Sequence, residues 1–244
     1  MTDFRQRRSP NFGPRAEGAA IDMIVLHYTG MPDEEAALSW LINPASQVSS
    51  HYVVFEDGQV YQLVDDSQRA WHAGVSFWAG ESDINSRSIG IEIVNPGHEF
   101  GYRGFPDRQI DAVITLTSEL VSRFEIPADR VLGHSDVAPE RKQDPGELFP
   151  WERLAGEGLG IWTRPAPIVT GPVLQSGDRS AAVRELRAEF SRFGYQAGHS
   201  EEFDAELEAI VTAFQRHFRP SRVDGVADRS TLTTLQRLLS LRSV

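Results

Sequence analysis

The chain has no cysteine among its 244 residues. That excludes disulfides, thiolate nucleophiles and Cys-ligated zinc, and leaves any metal chemistry to histidine and carboxylate. It also has no surplus of positive charge. The formal net charge is −11, with no basic stripe to neutralise phosphates, so no nucleic-acid partner is expected. Long apolar runs are missing too. None approaches the roughly 20 residues of a membrane span, and the basic start MTDFRQRRSPNFGPR is not followed by the roughly 7–15 apolar residues of a secretory signal. These absences describe a protein with no membrane partner and a cytoplasmic location, the periplasm or cell envelope being the alternative. There is no HExxH helix either, so a metal site would be assembled from distant parts of the chain.

What is present is organised around Arg130–Trp151, RVLGHSDVAPERKQDPGELFPW. Pro139, Pro145, Gly146 and Pro150 forbid one regular helix, because proline removes a backbone donor and fixes its own φ. The segment reads as a strand end followed by an ordered loop, a setting in which site residues concentrate. It holds His134, Lys142 and Asp144. Asp136, near His134, suits a role in holding the loop together.

Upstream, residues 1–20 form an irregular arm rich in Arg, Pro and Gly. Ile24-Val25-Leu26 is a buried strand ending in His27, where open α/β sheets place ligands. Pro32 and the acids after it start a helix that Asn43-Pro44 ends. HYVVFEDGQVYQLV, residues 51–64, is a hairpin whose Asp57-Gly58 signals a type I′ turn. In SIGIEIVN, residues 88–95, the isoleucines face one way and Glu92 the other. Residues 107–125 carry a helical apolar stripe. The order strand, helix, hairpin, strand, helix, strand implies an α/β fold with a mixed central β-sheet flanked by helices.

Residues 163–172, TRPAPIVTGP, read as a linker. After them come three helical patterns and no strands, a small three-helix C-terminal domain. The expected division is an arm at 1–20, a main domain at 21–162, the linker, and a helical domain at 173–244.

Zinc hydrolases use three protein ligands and leave a fourth position for water, with a carboxylate to move the proton and a cation to hold the oxyanion. His27, His134 and Asp144 are candidate ligands, Glu92 the base and Lys142 the cation. Spacing alone leaves this one reading among several, because non-local sites cannot be read from periodicity.

The motifs VLHYTG, SSHYVVFEDG, AWHAG, NSRSIGIEIVNPG and VLGHSDVAPERKQDPGELFPW, in this order, resemble the N-acetylmuramoyl-L-alanine amidase type 2 family, on the side of its AmpD and AmiD branches. The resemblance spans roughly residues 20–162. It implies a zinc amidase fold related to peptidoglycan recognition proteins, with one Zn2+ per chain. By motif match, His27, His134 and Asp144 are its ligands, Glu92 is the catalytic carboxylate and Lys142 the family's lysine. The implied reaction is hydrolysis of the amide between N-acetylmuramic acid, in its ordinary or 1,6-anhydro form, and L-alanine. The implied substrates are peptidoglycan or its muropeptide fragments, handled by a monomer. His72 and Trp78 are candidates to line the substrate groove, packing of their loop being the other reading. His51 reads as structural, and His98, His199 and His217 as surface or packing residues.

The segments LQSGDRSAAVRELRAEF, AIVTAFQRHF and VDGVADRSTLTTLQRLL resemble a three-helix peptidoglycan-binding domain. They depart from it at Leu186-Arg187, where Leu-Gln is usual, and in HSEEFD, which lacks the usual Asp-Gly turn. A non-catalytic peptidoglycan-binding or sensing protein is the competing function, and a zinc peptidase cutting within the stem peptide is a third.

Overall fold

A computed structural model describes residues 4–242. The strands are β1 (Arg5–Gln6), β2 (Phe12–Pro14), β3 (Met23–Tyr28), β4 (Tyr52–Val54), β5 (Val60–Gln62), β6 (Gln68–Ala70), β7 (Ser88–Ile93) and β8 (Val131–Gly133). The helices are α1 (Glu34–Leu41), α2 (Ile84–Arg87), α3 (Gly97–Phe100), α4 (Asp107–Phe124), α5 (His134–Val137), α6 (Trp151–Gly156), α7 (Ala181–Phe193), α8 (Ala205–Phe218) and α9 (Arg229–Leu241).

The main sheet runs in the order β1-β5-β4-β7-β3-β8. Its centre is parallel, with β3 between β7 and β8 and β4 beside β7. Only the β4–β5 hairpin is antiparallel within it. Strand parity splits the sheet into two faces. Ile24, Leu26, Ile89, Ile91 and Ile93 pack with Ile110, Val113 and Leu120 of α4 in one cluster. Val53 and Val94 on the opposite face pack with Leu41 of α1. Met23 and Val25, also on that face, join a cluster that continues into Phe190, Phe193 and Phe214 of the C-terminal helices. By the same parity, His27 and Glu92 point to the face that packs against α1 and the C-terminal helices.

Two sequence expectations change. The arm is not irregular: β1 pairs in parallel with β5, and β2 pairs with β6 in a second, two-stranded sheet. These strands are too short for a periodic signal. The arm is also fixed by Arg15, whose guanidinium donates to Asp66 O, Asn85 O, Ser86 O and Ser88 O. The hairpin turn is not type I′. Gly58 N bonds to Phe55 O at 3.0 Å, and in this turn only Gly58 has positive φ, +85°. Asp57 keeps an ordinary φ, as in a type I turn closed by a left-handed glycine.

The three C-terminal helices start on side-chain caps from Ser180, Asp204 and Asp228. Arg187, the departure from the family pattern, is buried at 1% exposure. It donates to Glu202 O and Ala197 O and pairs with Asp204. It thereby holds the 196–204 loop, which has no Asp-Gly turn to shape it. No helix among the described residues is long and apolar enough to cross a membrane.

Candidate active site

Register brings the candidate residues together. In the parallel β3–β7 pair His27 stands opposite Glu92, and in the β3–β8 pair Leu26 stands opposite Gly133, so His134 follows directly beside His27. Glu92, His27 and His134 thus come from three adjacent strands at the C-terminal edge of the sheet, where such sheets bind ligands. Asp144 arrives from the loop after α5. That loop is tied back by Ser135 N donating to Asp144 O at 2.9 Å. Gly133 permits the close approach, since a Cβ there would lie 2.9 Å from Pro145 Cδ and 3.2 Å from Trp151.

His27 Nδ1 lies 2.9 Å from His134 Nδ1 and 3.1 Å from Asp144 Oδ2, and His134 Nδ1 lies 3.0 Å from the same oxygen. The three residues are 2%, 3% and 6% exposed. Their chemistry calls for a cation. His134 Nε2 faces Ala73 O at 3.1 Å. A carbonyl can only accept, so Nε2 carries the proton and neutral His134 presents a bare lone pair at Nδ1. That lone pair, the Asp144 carboxylate and His27 Nδ1 converge on one point. Ligands about 2.0–2.2 Å from a tetrahedral zinc would sit roughly 3.3–3.6 Å apart, a few tenths of an ångström wider than the separations observed. The set fits a small divalent metal.

Electrostatics agree. Burial, with His134 adding to it, lowers His27 to about 4 against the opposing pull of the Asp144 carboxylate, so its ring is neutral near pH 7. Burial alone would raise Asp144, but His134 and His27 outweigh it and hold the carboxylate well below its usual range. Glu92 is pushed the other way. Burial and the nearby Asp144 charge raise it well above an ordinary glutamate, and Lys142 opposes them. Glu92 Oε2 is buried and has no hydrogen-bond partner, which leaves it available to a substrate proton.

These groups line a cleft of about 340 Å³ that also includes Lys142, Tyr28, Trp40 and Trp71. Trp78 is not part of it. It is 1% exposed and packs edge-on against Tyr195 and Phe193 of the helical region. A side chain spaced like a groove residue is therefore an inter-domain anchor. His72 touches the cleft, but its ring lies behind His27, with Nδ1 3.1 Å from His27 Nε2. His51 is enclosed by backbone, accepting from Gly90 N at 2.9 Å and facing Gln68 O at 3.1 Å.

Several contributors carried no sequence signal. Asn85 Oδ1 accepts from both His72 N and Ala73 N. Arg141 donates to Ala73 O and Val75 O. His98, expected as a surface or packing residue, lines the cleft and bonds Tyr28 Oη at 2.9 Å. Asp136, read from the sequence as holding its loop, accepts from Gly133 N within it, and, fully buried, also ties α5 to the helical region by accepting from Tyr195 Oη and His217 Nδ1. Asn85 and Ser88 sit inside the NSRSIG motif, the only trace of their role in the sequence.

Residues 17–147 match the N-acetylmuramoyl-L-alanine amidase family, and residues 179–235 match a peptidoglycan binding domain family. N-acetylmuramoyl-L-alanine amidase AmiD of Escherichia coli is 36% identical over 234 residues, covering 90% of this chain and 82% of that protein. The 1,6-anhydro-N-acetylmuramyl-L-alanine amidase AmpD of Haemophilus influenzae is 33% identical over 171 residues, 63% of this chain and 91% of that protein. Among solved structures, AmiD from E. coli with its substrate anhydro-N-acetylmuramic acid-L-Ala-D-γ-Glu-L-Lys superposes with a TM-score of 0.76 at 34% identity, covering 93% of each chain. AmpDh3 from Pseudomonas aeruginosa with anhydromuramic pentapeptide gives 0.77 at 29% identity, covering 99% of this chain and 98% of that one. The chain belongs to the N-acetylmuramoyl-L-alanine amidase family, hydrolases of the amide bond between N-acetylmuramic acid and L-alanine.

Proposed function

We propose that this amidase holds one Zn2+ on His27 Nδ1, His134 Nδ1 and Asp144 Oδ2, and that Glu92 and Lys142 carry the proton transfer and the oxyanion contact. The observation behind this reading is the convergence of three electron pairs on one buried point, with Glu92 and Lys142 in the same cleft. When bound, zinc acidifies its water towards neutrality and polarises the scissile carbonyl.

The chain's own residues do the rest. Glu92, with Oε2 unpartnered and its pKa raised by burial and Asp144, takes a proton from the attacking water. It returns that proton to the alanine nitrogen as the C–N bond breaks. Lys142, which lines the same cleft, brings an ammonium to pair with the negative charge that develops on the carbonyl oxygen. Tyr28, Trp40 and Trp71 give the cleft the flat aromatic walls that suit a sugar and a peptide.

We take the favoured substrate to be a soluble muropeptide with a 1,6-anhydro end, the kind of ligand bound in the AmiD and AmpDh3 complexes, which suits a cytoplasmic enzyme. Mass spectrometry of digests of anhydromuropeptide and of intact sacculi tests both parts. Release of an intact peptide beginning with L-Ala is required. Cleavage within the stem peptide would end the amidase reading for this site, and faster turnover of sacculi would end the soluble-substrate reading. Glu92→Gln should keep stoichiometric zinc and lose about 10²–10⁴-fold in kcat.

A further inference from the structure

The imidazole that faces the metal from β3 is itself held by a chain of hydrogen bonds that has only one possible direction. Ser88 Oγ lies 2.6 Å from Ile84 O, His72 Nε2 lies 3.2 Å from Ser88 Oγ, and His72 Nδ1 lies 3.1 Å from His27 Nε2. The far end is a carbonyl, which can only accept, so the Ser88 hydroxyl proton goes to Ile84 O. Ser88 Oγ then meets His72 Nε2 with a lone pair, and His72 must donate from Nε2. A neutral His72 so protonated has its own lone pair at Nδ1, where it accepts from His27 Nε2–H. His27 is left with its lone pair at Nδ1, the atom that faces His134 and Asp144.

Resting on the zinc reading above, we infer that His72 and Ser88 form an orienting relay that fixes His27 in its metal-binding tautomer and ring orientation. His72 is a positioning residue, not a substrate contact.

Three features built around His72 support this assignment. Its ring lies directly over Gly90, where any Cβ would come within 2.5–2.8 Å of ring atoms, so the strand next to the site has been left without a side chain at that point. Its backbone N–H, and that of Ala73, both donate to Asn85 Oδ1 at 3.1 and 2.9 Å. Asn85 and the relay's terminal acceptor Ile84 belong to the same helix, α2, and Ser88 caps it. Finally, the next residue does the same for the other imidazole, since Ala73 O faces His134 Nε2 at 3.1 Å. One dipeptide, pinned by one asparagine, orients both histidines of the trio. Outer partners of this type control ligand orientation and affinity in metal sites.

The test uses full-length His72→Phe, His72→Asn and Ser88→Ala. Zn2+ affinity is measured by chelator competition, the ligand field by the visible spectrum of the Co2+-substituted protein, and kcat and KM on soluble anhydromuropeptide at saturating zinc. His72→Phe removes the acceptor and should weaken zinc about 10–100-fold, with an altered Co2+ spectrum and an unchanged KM. His72→Asn, whose Oδ1 can accept from His27 Nε2, should recover most of that loss. Ser88→Ala should give an intermediate loss, and it decides the matter if His72→Phe does not fold. Normal zinc affinity and an unaltered Co2+ spectrum in Ser88→Ala and in folded His72→Phe would overturn the relay. A raised KM with normal zinc affinity would overturn it in favour of substrate contact. Failure of the wild-type chain to bind stoichiometric zinc would instead sink the zinc reading itself.

Discussion

His217 Nδ1 donates to Asp136 Oδ2 at 2.8 Å across the boundary between the amidase fold and the C-terminal helices. Asp136 lies two residues after His134, and its side chain is fully buried. The same carboxylate accepts from Tyr195 Oη at 3.0 Å, and the His217 ring stacks on Trp151 with centroids 3.7 Å apart. The helical module shares a core with the amidase fold, and its polar contacts reach the turn that carries His134.

Tyr195→Phe and His217→Phe each take one donor from a buried carboxylate, so each should cost about 1–3 kcal/mol. Urea unfolding of the full chain should show a single transition that both substitutions move. Two separate transitions, the amidase one insensitive to either change, would contradict this coupling. Trp78→Ala should cost roughly 3–5 kcal/mol in the same experiment, because Trp78 fills the helical region from the amidase side.

Gly133→Ala should damage the metal site without touching a ligand. The added Cβ would meet Pro145 Cδ at 2.9 Å, and Pro145 adjoins Asp144. The φ of Gly133 is −86°, so the backbone tolerates alanine and the effect is steric. Overpacking of this kind costs about 1–3 kcal/mol. Zinc affinity from chelator competition should fall with the melting temperature; a lower melting temperature with normal affinity would mean the loop absorbs the methyl without moving Asp144.

Much of this was legible in the sequence, for identifiable reasons. His27, Glu92 and His134 end or interrupt strands whose apolar parity is plain, so their convergence follows once the strands are parallel and adjacent. The stripe at 107–125 becomes α4 almost residue for residue. What stayed hidden was everything set by tertiary contact. Trp78 looked like a groove aromatic because nothing local reveals that Phe193 and Tyr195, over 100 residues later, enclose it. The hydrogen bonds of His72 stayed hidden because its partner atoms belong to His27 and Ser88, neither of them near it in the chain. The strands of the N-terminal arm span two and three residues, fewer than any alternation needs in order to show.

His51 should make the fold sensitive to mild acid. Burial, reinforced by Arg15, lowers it to about 3, with Gln68 O and Asp65 opposing, and the His72 ring faces it at 5.7 Å. Its folded pKa is below the unfolded value of 6.5. Between those limits the unfolded chain binds the proton and the folded chain does not, so stability falls as pH drops from 6.5 towards 3. The full contribution is on the order of 5 kcal/mol. His51→Asn should therefore destabilise the protein less at pH 5 than at pH 7.5, compared by urea midpoints. An equal or larger penalty at the lower pH would show that His51 is not held neutral.

The acid limb of the pH–rate profile should belong to Glu92, and Lys142 should set its position. With Glu92 as the base, as proposed, activity requires the carboxylate and is lost as pH falls through its folded pKa. Burial and Asp144 raise that pKa well above the 4.5 of an ordinary glutamate, while Lys142 pulls it down. Removing the ammonium in Lys142→Met leaves the two raising influences unopposed. The acid limb of kcat/KM should then move to higher pH, and the plateau should drop by roughly 10²–10³-fold from the lost oxyanion contact. Zinc-loaded wild type and variant, each assayed on the same muropeptide from pH 4 to 9, give both readings. A lowered plateau with an unmoved limb would keep Lys142 at the oxyanion and remove it from the control of Glu92; a limb that moves to lower pH would mean that Glu92 is not the group being titrated.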